Sequence, residues 1–444
     1  MRVGLVEVRP KKQEYVAKEM AGGLGKRLNL KGSLLGSVLD RYLRSNFHAP
    51  PILLAQISGV LRKHHHQIDA YYTRDPKEIP SDTEILVVLS SMVDYRNEVD
   101  FIQQVKSLFP SLKVIVVGSF ASAMPEIYQN SADLVIMGDA EMALENILLE
   151  GFPAQNVIRS PDPRDLNELP MVDWEPFLRI GAYATRPFSR ERGVSIQKSR
   201  GCTMTCNYCP YAAFYGDAKL FSAEYVLKTI EYYYDRHNIR YFMFRDPNFG
   251  EKRPEFRRFM DELIRSQFRI SWSCEMRLDT FEDNDLRLMH QAGLRYSITG
   301  IESSNDDLLK SNMRRPYKKE DTLRKLALLE ELGVMVQSNW IIGFAQETEE
   351  SVRQTIAYAR ELNTMFATFH IFTPQPGTDV FKQYTSKFVT PDWEDFGYSR
   401  LVWKHDTLSK RFLEDSLRDA YVDYYFRAAY LRKHWKSLAR IHAH

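Results

Sequence analysis

Along the first 150 residues, short apolar runs alternate with amphipathic stretches. The runs Val3–Val8, Ile68–Tyr72, Ile85–Leu89, Val114–Val117 and Leu134–Met137 predict strands. Several are unbroken Val/Ile/Leu, the pattern of strands covered on both faces of a parallel sheet. Between them lie helical stretches such as Glu98–Phe109, which stops before Pro110. A doubly wound, Rossmann-like sheet follows, and such sheets take their ligands beyond the carboxyl ends of the strands. The residues there are small or polar: Ser90, Ser91, Gly118, Ser119 and Gly138 through Glu141. Residues 10–50 break the alternation, and their Gly/Lys-rich stretch AGGLGKRLNLKGSLLG reads as a long loop.

A polar, Pro-containing connection over 151–190 precedes a second alternating region, 191–380. Its predicted strands are Val194–Lys198, Tyr241–Phe244, Ser271–Arg277, Tyr296–Ile301, Val334–Ile342 and Thr368–Phe372. The helices between them are Ala223–Arg236, Asp283–Gln291, Glu320–Leu332 and Glu349–Leu362, with Gly293 and Gly333 at cap positions. Six β/α units predict a partial, TIM-like (β/α)6 barrel with its function at the carboxyl ends of the strands. In Ser271–Arg277, Ser271, Ser273, Glu275 and Arg277 share one face. A lumen lined this way is wet or ligand-filled. Residues 381–444 predict a helical tail, with Leu413, Leu417, Tyr421, Tyr424, Ala428, Leu431, Trp435 and Leu438 at helical spacing.

Composition narrows little. The 444 residues are 44% hydrophobic and 27% charged, with a formal net charge of +2, so no global attraction to nucleic acid is expected. The apolar runs are strand-length, no transmembrane segment is expected, and MRVGLVEVRP lacks the apolar core of a signal peptide. Cytoplasmic residence is the expectation.

Cysteine usage changes the picture. Of four cysteines, three fall within SRGCTMTCNYCP, as Cys202, Cys206 and Cys209, directly after a predicted strand. Three thiolates on one loop hold three irons of a cubane and leave the fourth open to a small ligand. A structural zinc site needs four closed ligands, and no second pair exists, since the remaining Cys274 sits on the apolar face of its strand.

The C-x-x-x-C-x-aromatic-C spacing after the first barrel strand resembles the radical S-adenosylmethionine (SAM) superfamily. Gly300–Ser303 (GIES), Asn339–Ser351 (NWIIGFAQETEES) and Phe372–Thr378 (FTPQPGT) are similar to further motifs of that family, in the same order. The resemblance implies a 4Fe–4S cluster on the three cysteines and SAM chelated to the open iron. Reductive cleavage of SAM would give a 5′-deoxyadenosyl radical that takes hydrogen from an unactivated carbon. It implies Glu302, with Ser303, at the SAM ribose and Ile342 and Gly343 beside the adenine. Tyr208 is also expected to contact SAM, and Glu275 and Arg277 to meet its amino and carboxylate ends.

VVGSFAS followed by ADLVIMGDAE resembles the paired motifs of the cobalamin-binding domain that precedes the barrel in one subgroup. That implies a corrinoid near Ser90, Ser91, Gly118, Ser119, Gly138 and Glu141. No D-x-H-x-x-G run is present, so no histidine lower ligand is expected. The resemblance predicts four regions: 1–150 cobalamin-binding-type, 151–190 linker, 191–380 radical SAM barrel, and 381–444 helical tail. Its leading function is cobalamin-dependent C-methylation of a small molecule, with an electron donor such as flavodoxin or ferredoxin. The alternative is the same radical chemistry without methyl transfer: dehydration, rearrangement or cyclisation. tRNA methylthiolation would need cysteines before Cys202, and there are none.

Three smaller features complete the reading. The His64–His66 run is read as surface helix. Arg245 and Asp246, ending a barrel strand, fit either a functional pair or a buried structural one. Tyr211, Phe214 and Tyr215 fit cluster shielding or simple packing.

Overall fold

The computed structural model describes residues 1–11, 15–28, 50–187, 189 and 191–439. Of the predicted 10–50 loop, residues 12–14 and 29–49 lie outside that set. The part from 15 to 28 is not loop but a short hairpin.

The N-terminal half runs β1 (Arg2–Val8), β2 (Tyr15–Ala17), β3 (Lys26–Leu28), β4 (Gln67–Thr73), β5 (Ile85–Leu89), β6 (Lys113–Val117), β7 (Leu134–Met137) and β8 (Val157–Arg159). Except for the antiparallel β2–β3 hairpin, these form one parallel sheet in the order β4-β1-β5-β6-β7-β8. The chain reverses direction across the sheet between β1 and β5, the switch point outside which ligands bind. All five residues of β5 are buried, as its unbroken apolar run requires. β8 corrects the predicted boundary at 150: the sheet takes an edge strand from the predicted linker. Three residues are too few to show a period in sequence.

The second half runs β9 (Gly193–Ile196), β10 (Ser199–Arg200), β11 (Lys219–Leu220), β12 (Tyr241–Phe244), β13 (Ser271–Glu275), β14 (Leu294–Glu302), β15 (Met335–Ile342) and β16 (Phe366–Ile371). Six of these make an all-parallel sheet in sequence order, β9-β12-β13-β14-β15-β16, the open barrel that was predicted. Exposure alternates strictly along β15 and β16, so Gln337, Asn339 and Ile341 share one face with Phe366, Thr368 and His370 on the next strand. The opposite face packs Trp340, Ile342, Phe369 and Ile371 into the core.

The tail differs from the prediction of one continuous helical segment. Helices Lys410–Tyr425 and Ala428–Ala439 are separated at Phe426–Arg427, and little helix precedes Lys410. At the corner, the rings of Tyr424, Tyr425 and Tyr430 pack together while Arg427 donates to the Arg360 carbonyl. Past the break the buried face shifts to Tyr430 and His434, and the predicted stripe residues Leu431 and Trp435 are exposed, although their spacing in sequence continues that of the first helix. The first helix caps the last strand: Tyr421 Oη accepts from the Phe369 amide at 3.1 Å. His64 and its neighbours lie just past the end of helix Ile52–Lys63, not within it. No described helix is long and apolar enough to cross a membrane.

Candidate active site

The cysteine loop leaves the first barrel strand and returns through a clasp. β10 pairs antiparallel with β11, Ser199 opposite Leu220 and Arg200 opposite Lys219, closing residues 201–218 into one excursion. Asp246, at the end of β12, holds the base: it accepts from Ser199 Oγ at 2.6 Å and from the Lys198 amide at 3.0 Å. Gly201 turns the chain at φ +79°, where a side chain would lie 2.5 Å from the Asp217 carbonyl. Only glycine fits there.

Each thiol has a donor. Backbone amides of Met204 face Cys202, and those of Tyr211 and Ala212 face Cys209. Arg314 Nη1 lies 3.8 Å from Cys206 Sγ. Burial raises the Cys202 thiol, with the Glu251 carboxylate adding to it at 3.1 Å; burial pushes Cys209 up to about 11. No three described His, Cys, Asp or Glu side chains converge on a point that one metal ion would occupy. Three thiols on one loop suit three corners of a cubane, whereas a closed tetrahedral zinc site needs four ligands. The donor set fits a 4Fe–4S cluster.

Beside this loop, at the carboxyl ends of the barrel strands, is a cavity of about 920 Å³, its mouth included. Tyr208, Cys209, Glu275 and Glu302 reach it. Glu302 has a left-handed backbone, φ +69°, and its carboxylate lies 3.3 Å from Arg314 Nη2, which also donates to the Gly300 carbonyl. That carboxylate folds back into the space a Gly300 side chain would fill. The GIE sequence is thus a device for presenting one acid. Burial raises the Glu302 carboxyl, and the charges of Arg314 and Arg277 oppose the rise. Glu275 pairs with Arg245 at 3.1 Å, and burial raises its carboxyl against that charge. Tyr208 packs against Phe344 and Phe372, ring centroids 5.5 and 6.4 Å apart, with its hydroxyl unpartnered.

A second cavity, about 610 Å³, lies between the two sheets, beyond the carboxyl ends of β5 and β6. Gly118, Ser119, Asp139, Arg200, Tyr211 and Arg245 are among its walls. Gly22 and Gly23, from the turn of the β2–β3 hairpin, close it on one side, with Ser119 Oγ donating to the Gly22 carbonyl. Across the junction Arg200 pairs with Asp139 at 3.0 Å and Glu141 at 2.6 Å. Tyr211 borders both cavities, and the Arg245–Glu275 pair spans the partition, one partner facing each.

Several predicted residues face elsewhere. Arg277 turns to Asp279 at 2.8 Å and stacks on Tyr317, behind Glu302 rather than in the cavity wall. Ser303 is buried against Thr355 at 3.2 Å. Ile342 points into the core; the pleat puts Ile341 on the cavity, and Gly343 spends its amide on Glu347. Ser91 donates to Glu98 at 2.6 Å, Ser90 accepts from the Ala121 amide, and the Gly138 amide donates to Ser122. Glu141 borders a smaller, adjoining cavity through its Arg200 pair. Sequence reasoning missed Lys26, Arg200 and Arg314, while Asp139 falls within the strand-end stretch Gly138 through Glu141. The strand alternation of 335–342 and 366–371 contained the signal for Asn339 and His370.

Fold and site together define a parallel-barrel enzyme built around a three-thiolate loop. Residues 196–359 match the family described as the radical SAM superfamily. The anaerobic magnesium-protoporphyrin IX monomethyl ester cyclase of Rubrivivax gelatinosus is 24% identical over 366 residues, covering 74% of this chain. This chain spans 64% of that cyclase's length. An uncharacterized methyltransferase of Pyrococcus horikoshii is 23% identical over 420 residues, 86% of this chain and 89% of that protein. Among solved structures, the cobalamin-dependent SAM radical enzyme OxsB with aqua-cobalamin and SAM bound superposes at TM-score 0.69. The match is 13% identical and covers 97% of this chain and 68% of OxsB. The radical SAM methyltransferase TsrM of Kitasatospora setae superposes at 0.63, 16% identical, over 88% of this chain and 79% of TsrM. Residues 196–359 thus carry a radical SAM domain. The chain is an enzyme, and the family implies a 4Fe–4S cluster and SAM.

Proposed function

We propose that this enzyme is a cobalamin-dependent radical SAM methyltransferase acting on an sp³ carbon of a small molecule. The observation that carries the reading is the pair of cavities meeting at Tyr211, one beyond each parallel sheet. Cys202, Cys206 and Cys209 would hold the cluster, and the barrel cavity would hold SAM and substrate. The junction cavity, with Gly118 and Ser119, would take the corrinoid. When bound, the cluster and SAM supply hydrogen abstraction from an unactivated carbon, and cobalamin supplies a transferable methyl group.

The chain's own residues position and exclude. Glu302, fixed by Arg314, accepts hydrogen bonds from ribose hydroxyls. Glu275, held by Arg245, meets the amino group of the same ligand. Tyr208, Phe344 and Phe372 exclude water beside the cluster loop. In this reading residues 1–150 with β8 form the corrinoid domain, 151–190 connect, 191–380 form the barrel and 381–444 cover its last strand. A flavodoxin or ferredoxin would supply the electron.

TsrM has been solved with tryptophan and a SAM analogue bound, and OxsB and TsrM with cobalamin, which supports a small substrate between two cofactors. The cyclase relatives favour a second reading, the same radical chemistry without methyl transfer. Anaerobic purification with cobalamin analysis, followed by turnover with methyl-labelled SAM, separates them. Stoichiometric corrinoid and label in the product support methyl transfer. Turnover that consumes SAM and leaves the product unlabelled overturns it.

A further inference from the structure

The described buried cations of this protein have partners, with one exception. Lys18 meets Asp94 and Glu98, Arg27 meets Glu394, Arg200 meets Asp139 and Glu141, and Arg245 meets Glu275. Arg277, Arg314 and Lys325 each meet a carboxylate, and Lys198 donates to a carbonyl. Lys26 is 9% exposed, borders the barrel cavity, and has no ion pair or side-chain hydrogen bond among the described residues. Burial alone acts on it, lowering its ammonium to about 7, and no carboxylate opposes the shift. An unpaired ammonium away from bulk water is costly.

The hairpin does not leave Lys26 there by slackness. On one side of it, the Gly25 amide donates to the Met20 carbonyl, and Met92 donates to Leu24. On the other, Arg27 reaches the Val93 carbonyl and Glu394, and its amide donates to Gly397. The backbone is pinned at both ends, with the ammonium delivered to the cavity between.

A second donor comes from the barrel strands that line the same cavity. Tyr296 Oη donates to Gln337 Oε1 at 2.6 Å, which fixes the amide so that Gln337 Nε2 donates to Asn339 Oδ1 at 2.9 Å. Thr368 Oγ1 donates to the same Oδ1 at 2.6 Å. Both acceptor sites of Asn339 are filled, and its Nδ2 group is left to donate into the cavity. His370 lies near enough to Lys26 to feel its charge, and burial with that charge keeps the imidazole neutral.

We propose that Lys26 and Asn339 form a receptor for an anionic group of the substrate, a carboxylate or a phosphate. This deepens the methyltransferase reading and rests on it for the placement of SAM at Glu302. The anion would bind on the hairpin side of the cavity, where Lys26 borders it. It would replace the missing carboxylate of Lys26 and accept from Asn339 Nδ2.

The test uses anaerobically reconstituted holoenzyme, trace-acetylated with acetic anhydride and mapped by peptide mass spectrometry. The probes are inorganic phosphate, acetate, and acetamide as the uncharged control. Slower labelling of Lys26 with phosphate or acetate, but not acetamide, is the expected result, and the effective anion identifies the group. Asn339→Leu should weaken that protection by about tenfold, the worth of one hydrogen bond to a charged group. Lys26→Met should melt no lower than wild type, because it removes an unpaired charge; a lysine with a structural role would show the opposite. Equal labelling with all three probes overturns the proposal. So does a tenfold or greater loss of SAM affinity in Lys26→Met, since the anion would then be SAM's own carboxylate. The labelling is read whether or not the enzyme cleaves SAM, so failure of the radical reading remains a separate result.

Discussion

Arg314 joins Glu302 to the cluster loop: its Nη2 lies 3.3 Å from the Glu302 carboxylate and its Nη1 3.8 Å from Cys206 Sγ. One guanidinium thus positions the acid and faces a thiol of the proposed cluster loop. Glu302→Gln should weaken SAM binding by about tenfold to a hundredfold, the cost of losing a charged acceptor. The cluster absorbance of that variant should match wild type. Arg314→Met should lower both SAM affinity and cluster occupancy, measured by equilibrium binding and iron content.

Gly300 tests the same acid without touching its chemistry. A methyl group there meets the Glu302 carboxylate directly. Gly300→Ala should weaken SAM binding by about tenfold or more while retaining the three thiols and their iron. Binding titration beside iron analysis reads both.

The Arg245–Glu275 pair divides the two cavities at 3.1 Å. Arg245→Met strands a buried carboxylate and should cost about 3 kcal/mol in urea unfolding. Adding Glu275→Leu to that variant should recover most of the loss. A double variant no more stable than the single would assign the cost to packing.

Lys26 gives a signed pH dependence. Its ammonium sits at about 7 in the fold against 10.5 ordinarily. Between those values the unfolded chain holds a proton that the folded chain lacks, so stability rises with pH across that window. Below about 7 the slope vanishes and the full penalty remains. The wild-type minus Lys26→Met difference in unfolding free energy should therefore climb by up to about 1.4 kcal/mol per pH unit between the two values. His370, the titratable neighbour, stays neutral throughout and adds no slope there.

Much of this architecture was legible because parallel strands advertise themselves. Ile85–Leu89, Leu134–Met137 and Tyr241–Phe244 appear with the predicted bounds, as buried apolar runs between amphipathic helices should. The cysteine loop was legible from spacing alone. Facing was harder: Ile342 was singled out where the pleat presents Ile341, because a one-residue difference reverses the face. Ser90 and Ser91 stand at a strand end as expected, yet local hydrogen bonds consume them. Arg314 and Lys26 were invisible because their meaning lies in tertiary contacts: Arg314 meets Glu302 from the next loop and Cys206 from 108 residues away, and Lys26 meets no carboxylate among the described residues.

Formation of 5′-deoxyadenosine by anaerobically reconstituted protein, given SAM and dithionite, tests the central claim most directly. Wild type should form it, and Cys202→Ala, Cys206→Ala and Cys209→Ala should each fall to background with loss of the cluster absorbance. A wild type that holds its cluster but forms none, or an alanine variant that still does, would contradict the account.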